Sequence, residues 1–231
     1  MPSNILDTFG PLRLREGAGG DYKNGLCFME AVSWLASEGA TDRPECACPV
    51  LGKFAIALND RMDSASRQKL LPLVLPMTGT RSPDHEQMRA EYIVLRVIRE
   101  IVPVAFDAVG LPDHAKAMRE AKDLFAAAKA AKAAAKAAYA AAYSAAYAAN
   151  AANAAAKAAN AAAKAAKAAK AAYAAYAAAN AAAYAAKQDL LLNCIPILEG
   201  AIMLGPNASD QWDIYKPRAE ALGAFAAEHL G

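Results

Sequence analysis

Between Ala126 and Lys187, 43 of 62 residues are Ala, and none is Pro or Gly. No other feature narrows the fold as much. Alanine is the strongest helix former, and its methyl group lets neighbouring backbones approach closely. The polar positions repeat the message. Leaving out Ser144, the residues that interrupt the alanines from Lys129 to Lys187 follow one another in steps of 3 or 4, which is helical spacing.

The geometry of that stripe limits how the helix is used. Seventeen steps over 58 residues make the stripe slip by about 320° on a straight helix, nearly one full turn. A slip of that size requires either a left-handed supercoil or segments that each reset their facing. The order Lys-Lys-Lys-Tyr-Tyr occurs twice, at Lys129, Lys132, Lys136, Tyr139 and Tyr143 and again at Lys164, Lys167, Lys170, Tyr173 and Tyr176. The offset is about 34 residues, the length of a helical repeat unit. The preferred reading is an antiparallel helical hairpin joined near Asn150–Asn160. The other is one long helix of about 93 Å in an oligomeric coil.

The stripe is also a charge feature. Eight Lys and no acid lie between Phe125 and Gln188, so with a net charge of +2 the rest of the chain carries about −6. Lysines interleaved with tyrosines suit a partner surface, and the residues singled out for it are Lys129, Lys132, Lys136, Tyr139, Lys164, Lys167, Lys170, Tyr173 and Tyr176. They are consistent with self-association or a protein partner. They are also what nucleic acid would use, charge for phosphates and rings for bases. The plainer reading is that these side chains keep an alanine bundle hydrated. A membrane-surface helix is disfavoured, because the array has no Leu, Ile or Trp to bury.

Around the array the chain reads as all-α, with four parts: an irregular segment over 1–25, a helical head over 26–111, the array over 112–187, and C-terminal helices over 188–231 that pack on the head. Asn24 is the expected cap of a helix over about 26–38 that Gly39 ends. A second helix is expected over 49–62, and a short third begins after Asp63 or Ser64. Pro72 and Pro76 predict extended chain. Ser82-Pro83 starts a fourth helix that Pro103 kinks or ends, and Leu111-Pro112-Asp113 starts the next.

Chemistry is sparse. Cys27 stands near a helix N-terminus, where a thiolate would be stabilised, with His85 and His114 as the available bases. Cys46 and Cys48 form a C-x-C in a proline-flanked loop and would need Cys27 or Glu45 to complete a zinc site. The bland alternative for all three is a structural cysteine. Glu30 and Glu38 read as solvated charges. There is no phosphate-binding glycine loop and no nucleophile elbow. No cofactor, metal or small-molecule substrate is implied, and no membrane span or leader is visible, so the expectation is a cytoplasmic, non-enzymatic binding or assembly protein.

The segments Cys27-Phe-Met-Glu-Ala-Val-Ser-Trp-Leu-Ala-Ser-Glu, Thr41-Asp-Arg-Pro-Glu-Cys46-Ala-Cys-Pro-Val, Leu58-Asn-Asp60, Leu71-Pro-Leu and Gly79-Thr-Arg81 resemble the head of an uncharacterised family of phage and bacterial proteins. In that family an alanine-rich array with varying polar residues follows the head. The resemblance covers most of residues 20–110 and the character of 124–187; it implies a phage or mobile-element setting and no particular activity. By composition, the array also resembles the Ala/Tyr-rich helices of bacterial immunity proteins.

Overall fold

The structure is a computed structural model that describes residues 9, 12–19, 25–39, 41–108, 110–123 and 188–230, with 126, 129, 130, 133 and 137 standing singly between. The hairpin or long helix expected of the array lies almost wholly outside the described residues. The described protein is all-α; its one β feature is a single bridge between Leu14 and Leu26. No helix among the described residues is long and apolar enough to cross a membrane.

The chain divides into two units, Met1–Val94 with Leu191–Gly231, and Leu95–Leu190. In the first, helix α1 (Phe28–Leu35) is the hub. Every residue of it except Trp34 is buried, as expected of a helix apolar nearly all round. It packs against α2 (Pro49–Arg61), against the one-turn helix α4 (Val74–Met77), and against the closing helix α9 (Trp212–Leu230). Trp34 meets Phe225 with ring centroids 5.7 Å apart, and Arg218 Nη1 donates to Leu35 O at 3.1 Å, covering a carbonyl at the helix end.

Local chemistry sets both ends of α1, though not at the expected residues. Cys27, not Asn24, is the N-cap: its sulfur accepts from Glu30 N while the Glu30 carboxylate accepts from Cys27 N, a capping box with cysteine in place of serine. The exit belongs to Ser37 rather than Gly39. Ser37 takes φ +64°, and Glu38 N bonds back to Ser33 O at 3.0 Å, closing a Schellman turn.

The run after α2 also departs from expectation. Asp63 caps α3 (Ser64–Arg67) through Ser66 N. A 3-10 turn (Gln68–Leu73) and α4 follow, so Pro72 and Pro76 sit inside helical turns instead of extended chain. Most residues from Leu70 to Met77 are buried, and core packing outweighs the prolines' local preference. Such short turns also leave most N–H groups without an intrahelical acceptor, so a missing donor costs little.

Helix α5 (Pro83–Arg96) brings Arg89, completely buried, to the turn after α8 (Ile195–Ile202). Its guanidinium donates to the carbonyls of Thr80, of Pro206 at 3.0 Å and of Ile202 at 3.5 Å, the last at the negative end of α8. The glycine within α8 has a packing reason: a Cβ on Gly200 would run into the Tyr92 hydroxyl.

In the second unit, Pro103 does not end the helix. A π turn over Val97–Ile101 precedes it, and α6 (Val102–Ala108) carries it in the first turn. Widening the helix there relieves the clash between the proline ring and the preceding turn. Helix α7 (Pro112–Arg119) packs on α6, and Arg119 pairs with Asp107. It stops at Arg119, and Asp123 then accepts from Ala126 N at 2.8 Å.

Candidate functional site

The cysteines are held as thiols. Burial pushes Cys27 up to about 12, and the adjacent Glu30 carboxylate adds to it. Burial likewise pushes Cys46 up to about 11, with Glu38 adding to it, and Cys194 up to about 11. The thiolate expected of Cys27 at a helix N-terminus is therefore corrected: loss of water and a neighbouring negative charge outweigh the helix dipole. His85 Nδ1 lies 2.8 Å from Ser82 Oγ, and its ring packs against Gly205. His114 is in the other unit. Among the described residues no three His, Cys, Asp or Glu side chains come together as metal ligands. All four cysteines are free.

Two consequences follow from the raised thiols. At pH 8 a thiol at about 12 is thiolate in roughly one molecule in 10⁴, against roughly one in ten for an ordinary cysteine at 9.0. Iodoacetamide should therefore alkylate Cys27 in the folded protein at least about a thousandfold more slowly than in the urea-unfolded chain; mass spectrometry of the peptide gives the rate, and a difference under tenfold contradicts the geometry. With folded-state values raised, the unfolded chain releases these protons first. The contribution to stability is thus complete below pH 9.0 and is lost as the pH rises towards the folded-state values of Cys27, Cys46 and Cys194.

Glu30 and Glu38 are not merely solvated charges. Glu30 is 2% exposed and accepts from Cys27 N and Gly19 N, both at 2.8 Å. Around it, Asp60 accepts from Gly17 N at 3.0 Å and Asn59 Nδ2 donates to Arg15 O at 2.9 Å. Together they strap residues 15–19 onto α1 and α2, satisfying backbone beyond the Leu14–Leu26 bridge. A cavity of about 40 Å³ touching Cys27, Asn59 and Asp60 lies under this strap, with space for water. Glu38 is exposed and accepts from Glu45 N and Cys46 N, fastening the loop before α2.

That loop forms one side of a groove of about 690 Å³. Its buried lining is Met29 from α1, Pro44, Ala47 and Cys48 from the loop, and Gly52 from α2; Ile56 is half-buried. Gly52 matters because any larger side chain there would project towards the Met29 thioether, whose methyl lies 3.4 Å from a Cβ on Gly52. Arg43, Lys53 and Arg81 line the groove as exposed cations, with Asp42 the one carboxylate among the described residues. Arg43 and Asp42 approach only to 4.0 Å, with the arginine side chain 89% exposed. Among the described residues, neither Lys53 nor Arg81 has an ion-pair partner. Cys48 gives α2 no side-chain cap, so the positive end of that helix adds to the cationic lining.

The groove is preformed. Besides the Glu38 bonds, Cys46 O accepts from Arg81 N at 2.9 Å and Cys48 N donates to Thr80 Oγ1 at 2.9 Å. Sequence reasoning did not find it, because its lining comes from positions 29, 42–56 and 81. A glycine in mid-helix beside a proline-flanked loop was the one local signal. Of the residues expected to bind a partner, Lys129 is exposed, while Lys132, Lys136, Tyr139, Lys164, Lys167, Lys170, Tyr173 and Tyr176 lie outside the described residues.

Comparison with protein-family models, with curated proteins and with solved structures returned no match in any of the three.

Proposed function

We propose that the chain is a non-enzymatic binding protein that holds a partner in the α1–α2 groove and uses its alanine-rich array for helix packing or oligomerisation. The observation that carries this is the groove. Its size falls within the range of ligand sites, roughly 300–1,000 Å³, and its lining joins a buried apolar surface to a few polar groups, the usual composition of such sites. Fixed hydrogen bonds hold the loop, so little ordering cost opposes binding. The thiols, raised well above neutral pH, favour binding over cysteine chemistry. Four free cysteines favour a reducing, cytoplasmic setting. The array's role and the phage-like setting rest on the sequence.

Methyl-labelled NMR of the full chain, titrated with a mixed library of short peptides and small anions, tests the reading. Shifts of the Met29 and Ile56 methyl groups and the Gly52 amide are expected for some members, and a library that moves none of them removes the groove as a site. Light scattering across concentration in the same samples tests assembly, which a strict monomer would contradict. The interleaved Lys and Tyr of the array favour a second reading, nucleic-acid binding, which fails if neither duplex nor single strands bind at low salt.

A further inference from the structure

We infer that the occupant of the groove is an acidic, extended peptide segment, one that sets an apolar side chain against Pro49 and Ile56, above the buried Met29 and Ala47, and its carboxylates against Arg43, Lys53 and Arg81. This rests on the binding reading above and names the partner's chemistry.

Charge gives the sign. Among the described residues three cations and one carboxylate line the groove, and Lys53 and Arg81 are unpaired, so at these two an anionic partner gains attraction without displacing an internal salt bridge; only Arg43 already faces a carboxylate, Asp42 at 4.0 Å. The same cations repel the array of a second copy, which carries eight lysines and no acid, so the groove is not the place where arrays would meet heads. Chemistry of the lining gives the class. Among the described residues it contains no aromatic ring, so it offers no platform for stacking bases. A small inorganic anion would fill only a fraction of about 690 Å³ and leave Pro49 and the half-buried Ile56 facing water. A peptide meets both demands, with apolar and acidic side chains at alternate positions of an extended chain.

The test uses the full chain and fluorescent peptides that share their leucines and differ only in whether the remaining positions are Glu, Gln or Lys. Anisotropy at low salt is expected to show the Glu series binding at least about tenfold more tightly than the Gln series, with the preference shrinking as salt rises. A double variant, Lys53→Glu with Arg81→Glu, changes only exposed side chains and is expected to reverse the order, favouring the Lys series. Equal binding of the Glu and Gln series, with Met29 and Ile56 still shifting, overturns the acidic partner and leaves the binding reading standing. No binding by any series, with Met29 and Ile56 unmoved, overturns both. Tighter binding of a single-stranded oligonucleotide, or of a small amphiphilic anion, at the same residues overturns the peptide.

Discussion

Arg89→Ala is expected to lower the unfolding free energy by about 3–5 kcal/mol, the range for breaking a buried, hydrogen-bonded charge. The guanidinium holds three carbonyls that belong to distant parts of the chain, Thr80 O before α5, Ile202 O at the end of α8 and Pro206 O in the turn beyond. Removing it strands acceptors around a fully buried side chain, at about 1–3 kcal/mol each when nothing replaces the bond. A domain of ordinary stability, about 5–15 kcal/mol, has little margin for that. Arg89→Lys is not a conservative repair. An ammonium on a flexible stem is a point donor and cannot span three carbonyls as a planar fork does, so about half of the loss should remain. Urea denaturation followed by circular dichroism gives the number, and a loss under about 1 kcal/mol for the alanine variant would show that Arg89 is a passenger. The Arg89 Nε, buried without a partner, already works against stability. Replacement by an apolar residue of similar volume together with rebuilt acceptors is therefore a different experiment from simple truncation.

What could be read from the sequence is what neighbours in the chain decide. Pro49, Ser82-Pro83, Asp63 and Leu111-Pro112 mark helix starts through local backbone chemistry, and the structure begins helices at Pro49, Ser64, Pro83 and Pro112. The all-α class follows from the same periodicity. The failures share one cause. The rule for proline is local and puts Pro72 and Pro76 in extended chain, whereas burial of most of Leu70–Met77 is tertiary. From the sequence Glu30 reads as solvated, because its helix is visible there but its second partner, Gly19 N, is not. A signal was present in Cys27-x-x-Glu30, the spacing of a capping box, hidden by a cysteine where serine or threonine usually stands. The groove was least legible, since Met29, Lys53 and Arg81 are neighbours only after α1 and α2 pack and the Glu38 loop closes. Arg89 looked like any charge on an amphipathic helix until the turn after α8 enclosed it.

Glu30→Ala should be the second large loss, about 2–4 kcal/mol, because it uncaps the hub helix and frees the strap at once. Two N–H groups, of Cys27 and Gly19, lose a charged acceptor at 2.8 Å in a site that is 2% exposed. Glu30→Gln keeps one acceptor oxygen but turns an N–H₂ towards the other donor, so about half of the cost should remain. The two variants separate structure from electrostatics through Cys27. The Glu30 carboxylate contributes to holding that thiol up, so Glu30→Gln is expected to bring it down and to speed alkylation by iodoacetamide, while burial keeps it above an ordinary cysteine. If alkylation does not change in the glutamine variant, burial alone holds the thiol neutral. Hydrogen exchange at Gly17 and Gly19 supplies the other half of the test. Both amides are held by carboxylates, Asp60 and Glu30, so only Gly19 should lose protection directly when Glu30 is replaced. Loss at both would mean that the strap opens as a unit. Because Met29 follows Cys27 by two residues on α1 and lines the groove, a loosened strap should also weaken whatever the groove holds. That would make the buried carboxylate a support for the binding site as well as a cap.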